Sequence, residues 1–314
     1  MRDGSASGSA TPWALLLCIL LVASALIAES PTHAQGRLSL LTATSDLRSL
    51  AEAVGGDRVA VTALVPSGFD AEEYQPRPQD LARLRQARAV VRVGLDFDLW
   101  IERLLAYAGG SVRRGSAGYV DASVGIATLD VRGMSIGDGH GHGSGNPHYW
   151  LDPRNAEIIT ANILAELVGI DPEGAAIYEA NRLAFLARLE PKIKEWEDRL
   201  AALRGVPLVA YHNSWPYFAR RFRLEFIGTV ELKPGVPPLP SHLTSLIGTM
   251  NARGARIIVR RPHESEKDVG FVARHTGGVV AVLASSVGAL PGADDYFSLF
   301  DVNVAALRAA TGVR

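Results

Sequence analysis

The chain has 314 residues, 47% hydrophobic and 21% charged, a balance that supports packed globular structure and a length that suits two α/β lobes. Formal net charge is −1 with no long run of one sign, which leaves no electrostatic case for nucleic acid or an anionic membrane surface. The single cysteine, Cys18, excludes an internal disulfide.

The first stretch reads as a targeting segment. Arg2 supplies a thin positive region, residues 13–28 are apolar and uncharged, and Thr32-His33-Ala34 has small residues where a signal peptidase reads. Residues 1–34 are expected to be a cleaved signal peptide. A transmembrane anchor is the alternative, and the run is a little short for it. Cys18 follows Leu17 rather than a small residue, which argues against lipidation. Export then leaves a mature chain without thiols, in a bacterial-type periplasm or outside the cell. Any metal must be held there by His, Asp, Glu or backbone oxygen, and thiolate-driven Cu(I) binding is excluded.

From Arg37 onward, short β-type runs alternate with helical ones. Residues 38–43 read as a strand, 46–54 as a helix stopped by Gly55-Gly56, and 59–65 as a second strand. Residues 78–87 are helical, 89–93 a buried strand, 99–108 a helix, and 119–126 contain a short extended piece. Residues 129–146 are Gly-rich and loop-like. Asp152-Pro153 then opens a helix over 153–168, Asp as cap and Pro at the first turn. From Asp171-Pro172 a second helix is expected to reach Leu203. Tyr178, Phe185, Leu189, Ile193, Trp196 and Leu200 form its apolar face, and Pro191 should kink or break it. The rhythm then restarts, with strands at 207–211, 226–230, 255–259 and 279–283. Helices follow at 215–222, 241–252 (capped by Ser241), 267–275 and 296–309. The alternation predicts mostly parallel sheets in two similar α/β lobes.

Three polar groups fall beside predicted strand ends, where open α/β sheets gather ligands. Glu72 lies in the loop after the second strand, His148 before the Asp152-Pro153 helix start, and His212 after the strand at 207–211. Asp138-Gly139-His140-Gly141-His142-Gly143 carries two more imidazoles just upstream. We expect His148 to bind a metal with partners from distant parts of the chain. No local metal motif joins these residues, and each also reads as an ordinary loop or core residue.

These residues sit in segments that resemble a known family. Leu64-Val65-Pro66-Ser67-Gly68-Phe69-Asp70-Ala71-Glu72-Glu73-Tyr74-Gln75-Pro76, Pro147-His148-Tyr149-Trp150-Leu151-Asp152-Pro153, Ala210-Tyr211-His212-Asn213-Ser214-Trp215-Pro216-Tyr217-Phe218 and Pro234-Gly235 occur in order. Together they are similar to the zinc and manganese solute-binding proteins of ABC importers, which include the periplasmic zinc-binding proteins. The resemblance implies two α/β lobes, 35–170 and 204–314, joined by a long helix at 171–203, with metal between them. It places His148 and His212 at the family's second and third ligand positions. Glu72 stands where the family usually has His, and Ser285 where it often has Asp. His263, Asp294 or water remain options for a fourth ligand, with Asp295 beside Asp294. His140 and His142 resemble a reduced His-rich loop.

The implied function is capture of a divalent metal, zinc first with manganese or iron as alternatives, and delivery to a membrane ABC permease. Modest closure or loop ordering would accompany binding. An exported zinc-dependent hydrolase is the enzyme alternative, with Glu73 or Glu264 as base, and a scaffold without metal is the third.

Overall fold

The first sheet grows from strands that a parallel α/β layout buries on both faces. β1 (Leu38–Thr42), β2 (Val59–Ala63), β3 (Ala89–Arg92) and β4 (Tyr119–Asp121) pair in the order β2-β1-β3-β4, all parallel. All four positions of β3 are buried, which is why its sequence is a continuous run rather than an alternation. Helices α1 (Ser45–Gly55), α2 (Pro78–Gln86) and α3 (Leu99–Ala108) connect the strands. The computed structural model describes residues 1, 3, 4, 36–69, 71–129, 145–233 and 235–312. Arg37–Arg314 form one compact unit. The expected signal segment with Cys18, and the His140/His142 loop, lie outside the described residues.

Asp152 caps the next segment by accepting Arg154 N–H at 3.0 Å. The first turn, Pro153–Asn155, is 3₁₀, and α4 (Ala156–Ile170) follows. The long helix predicted over 171–203 resolves into three pieces. Short 3₁₀ turns at Pro172–Gly174 and Ala201–Leu203 flank α5 (Ala175–Arg199), whose 25 residues span about 38 Å. The predicted break at Pro191 does not occur, because α5 runs through it. Proline removes one helical hydrogen bond, but Leu189, Ile193 and Trp196 are buried on either side and hold the helix in place.

The second sheet repeats the plan. β5 (Pro207–Ala210), β6 (Glu225–Thr229), β7 (Ile257–Arg260) and β8 (Val279–Val282) pair in the order β6-β5-β7-β8, again parallel. Its helices are α6 (Pro216–Phe222), α7 (Pro240–Arg253) and α8 (Glu266–Thr276). Two expected helix starts are corrected. α7 begins at Pro240, with Leu239 rather than Ser241 as cap residue, and α6 begins at Pro216 after Trp215 rather than after Ser214. In both, the proline pre-set for the first turn decides the start.

The last helix, α9 (Tyr296–Ala310), returns to the first half. Tyr296 N donates to Ser49 Oγ at 3.0 Å, and Trp196 Nε1 donates to Asp301 Oδ1 at 2.8 Å. Among the described residues no helix is long and apolar enough to cross a membrane.

Candidate metal centre

In each sheet the first strand lies between the second and third, so the strand order reverses there while all strands stay parallel. The crevice at the carboxyl ends of such strands is where α/β sheets bind ligands. The loop after β2 carries Glu72, and the turn after β5 carries His212.

The segment from Asn146 to Pro153 is strung between the halves. Tyr217 Oη donates to Asn146 O at 2.9 Å, Asn146 Nδ2 to Asn213 O at 2.9 Å, and Trp150 Nε1 to Ser285 O at 2.9 Å. Arg221 pairs with Asp152 at 2.7 Å. Within the segment, Asn146 Oδ1 accepts His148 N–H at 3.0 Å and lies 3.2 Å from His148 Nδ1. An amide oxygen only accepts, so this contact places a proton on Nδ1 and turns Nε2 toward Glu72. Phe97 and Trp150 pack against the ring at centroid distances of 5.7 and 5.3 Å. His148 is 3% exposed, and its Nε2 lies 3.2 Å from Glu72 Oε1.

His212 enters from the opposite side. Its Nε2 is 3.6 Å from the same Glu72 oxygen, and its Nδ1 is 3.1 Å from Glu231 Oε2. Burial pulls this imidazole's pKa down, but hydrogen bonds to Glu231 and Glu72 outweigh it and push the value up to about 9. Glu231 arrives by sheet geometry. Val230 N donates to Ala210 O and Glu231 N to Tyr211 O, both at 2.9 Å, so β5 and β6 stay side by side past their ends. The Glu72 loop is anchored where Tyr74 Oη and Arg77 N donate to Asp80 Oδ2 at 2.7 and 2.8 Å. Gly235, at φ +70°, lets the facing loop approach, since a Cβ there would lie 2.5 Å from Glu73 Oε1.

Glu72, His148 and His212 thus each aim one donor atom into a common space, all within 4.8 Å of one another. Edges of a tetrahedral zinc site with bonds near 2.05 Å are about 3.3 Å, and the two Glu72–His separations of 3.2 and 3.6 Å bracket that value. His263, Asp294 and Asp295 do not join this group. His263 lines a groove with Glu73, Tyr211, Glu231 and Asp268. Asp294 is exposed, and Asp295 caps α9. Ser285 lines a small cavity beside His148 and Trp150, and its carbonyl holds the Trp150 indole. The sequence reading missed Glu231 and gave Asn146 no role. Only the placement of Glu231 just past a strand adjacent to that of His212 could have pointed to it.

The family model for the periplasmic component A of zinc-uptake complexes matches residues 40–310. The chain belongs to this family. Its members are metal-binding substrate-binding proteins of ABC transporters, receptors that work with membrane permeases outside the cytoplasm. A zinc-bound deletion mutant of ZnuA superposes with a TM-score of 0.75 and 29% identity, covering 88% of this chain and 98% of that one. The iron-binding protein YfeA of Yersinia pestis is 22% identical, covering 90% of each chain. The iron ABC transporter lipoprotein MtsA of Streptococcus pyogenes serotype M1 is 26% identical over 81% of this chain and 84% of its own. The two-sheet α/β fold and the kinship expected from the motifs are thereby established for this ZnuA-family chain, down to the long helix between the sheets.

Proposed function

We propose that the chain captures a divalent transition metal, zinc first, on Glu72, His148 and His212 and hands it to an ABC permease. The observation that carries this is the convergence of three donors from three separate segments on one buried point. Burial of donors that would otherwise compete for water makes sense when an ion replaces the lost hydration. Two imidazoles and one carboxylate suit Zn²⁺, and a fourth position is left for water. The carboxylate also admits Mn²⁺ and Fe²⁺. Relatives named for iron make that competition the first thing to measure. In this reading residues 35–170 and 204–314 are the two metal-binding lobes, 171–203 is the connector, and residues 1–34 are removed on export to the periplasm.

Uptake follows from the same geometry. The two imidazoles are pre-oriented by Asn146 and Glu231, so only the Glu72 loop has to adjust when the ion enters. The bonds from the segment 146–153 to both halves oppose a wide hinge motion.

The test is titration of chelator-stripped protein with Zn²⁺, Mn²⁺ and Fe²⁺ against a competing dye. One equivalent should bind, zinc most tightly. Structural zinc sites bind with roughly 10–16 kcal/mol over four ligands, so losing one ligand removes about 3 kcal/mol. Glu72→Ala and His148→Ala should each weaken zinc about 100-fold. Unchanged affinity in both variants removes the site assignment, and no uptake by the parent removes the function.

A further inference from the structure

The two histidines of the proposed site are oriented by different chemistry. A neutral amide, Asn146, holds His148, whereas a carboxylate, Glu231, holds His212. Glu231 is 8% exposed and stands just beyond β6. Its Oε2 can only accept, so the 3.1 Å contact requires the proton on His212 Nδ1 and leaves Nε2 facing Glu72. A carboxylate behind an imidazole also makes it a stronger donor to a metal.

The charge balance is the second part of the argument. The three donors carry one negative charge, that of Glu72. A divalent ion would leave the buried site with a net +1, which low-polarity surroundings oppose. The neighbouring charges do not correct this. Arg261 is paired with Glu264 through contacts of 2.5 and 2.6 Å. Asp46, on the cavity wall beyond His148, accepts Val287 N–H, and burial pushes its carboxyl up to about 7. Glu231 is the carboxylate in hydrogen-bond contact with a donor imidazole that can bring the sum to zero.

We infer that Glu231 is the positioning residue of this site, fixing the His212 tautomer and supplying the second negative charge that neutralises a bound divalent ion. This rests on the metal-site reading above. It also accounts for how a site with one carboxylate donor balances a 2+ ion.

The experiment compares parent, Glu231→Gln, Glu231→Ala and His148→Ala in chelator-stripped full chain, by zinc competition titration. Outer-shell partners of metal-bound histidines are worth roughly 10–100-fold in affinity. Glutamine keeps the shape and an accepting oxygen but loses the charge, so Glu231→Gln should weaken zinc about 10-fold. Glu231→Ala, which loses both, should weaken it about 100-fold. The Co²⁺-loaded visible spectrum of Glu231→Gln should shift, a change that loss of packing alone would not produce. Parental zinc affinity in Glu231→Gln overturns the inference, and this isosteric variant decides the matter if the alanine variant does not fold. The two readings fail differently. If His148→Ala binds zinc like the parent, the site itself is wrong; if it does not bind while Glu231→Gln is unchanged, only the role of Glu231 falls.

Discussion

Replacing Asp46 with asparagine should stabilise the protein at neutral and alkaline pH and do almost nothing in acid. Asp46 is fully buried in the first turn of α1. Its Oδ1 accepts Val287 N–H at 3.0 Å, while Oδ2 is buried without a hydrogen-bond partner. Desolvation raises its pKa from the ordinary 3.8 to about 7, against the smaller pull of the Val287 bond. In the folded state the group therefore keeps its proton over a range where the unfolded chain has released it. Between pH 4 and 7 the native state binds more protons than the unfolded one, so stability falls as pH rises through that window. The gap from 3.8 to about 7 corresponds to about 4 kcal/mol once both forms are ionised. Asparagine cannot ionise and keeps the accepting oxygen. Its N–H₂ is no worse partnered than the acid's O–H, so the two proteins should be near parity at pH 4. The assay is urea unfolding of chelator-treated protein at pH 4, 5.5, 7 and 8.5. The variant should gain about 3–4 kcal/mol over the parent by pH 8.5, with most of the rise between pH 5 and 7. Parallel pH profiles for the two proteins would refute the reasoning.

Other perturbations have equally definite outcomes. Asp152 is 1% exposed, caps the turn before α4 and pairs with Arg221. Asp152→Ala should lose about 2–3 kcal/mol, a cap plus a pair discounted because the arginine side is partly solvated. Asp152→Asn should recover about 1 kcal/mol of that in denaturant titration. Trp150→Phe removes the indole bond to Ser285 O and should lower stability by about 1 kcal/mol, with zinc stoichiometry unchanged in the dye assay. Zinc at about 100 times its Kd should add about 2.7 kcal/mol to unfolding. Excess chelator should remove that increment in the parent, and His148→Ala at the same zinc concentration should gain only about 0.4 kcal/mol.

Most of the fold was legible because local period and burial agreed. Residues 99–108 read as a helix with the bounds that the structure has, and residues 89–93 read as a buried strand one residue longer than β3. Element ends were less legible where two signals competed. Ser241 is a good cap, yet Pro240 before it already has the backbone angle of a first turn and takes that place. Pro191 is a helix breaker in isolation, and tertiary burial around it overrides that preference. At the site, Glu72, His148 and His212 were found through motifs, because no local spacing joins residues so far apart in sequence. Glu231 was not found, since Thr229-Val230-Glu231-Leu232 carries no mark of a carboxylate aimed inward. Its partner is set by which strand lies next to β5, and that is a property of sheet order. Asp46 was hidden for a related reason. A carboxylate in a first helical turn usually faces water, and only the docking of residues 285–287 against α1 buries it.

The return of α9 to the first half sets a timetable for the molecule's maturation. Phe297 packs on Phe185 at 5.2 Å and Phe300 stacks on Trp196 at 4.9 Å, so aromatic residues near the end of the chain complete a cluster begun more than a hundred residues earlier. Until those last residues are available, α5 keeps a greasy flank open to chaperones and proteases. A chain stopped after Asp294 should therefore show red-shifted tryptophan fluorescence and rapid proteolytic cutting within α5, whereas the full chain resists both. Equal resistance of the two would mean that the first half closes by itself. Commitment to the native state is in this way postponed until α9 has been made, which keeps the preceding polypeptide pliable up to that point.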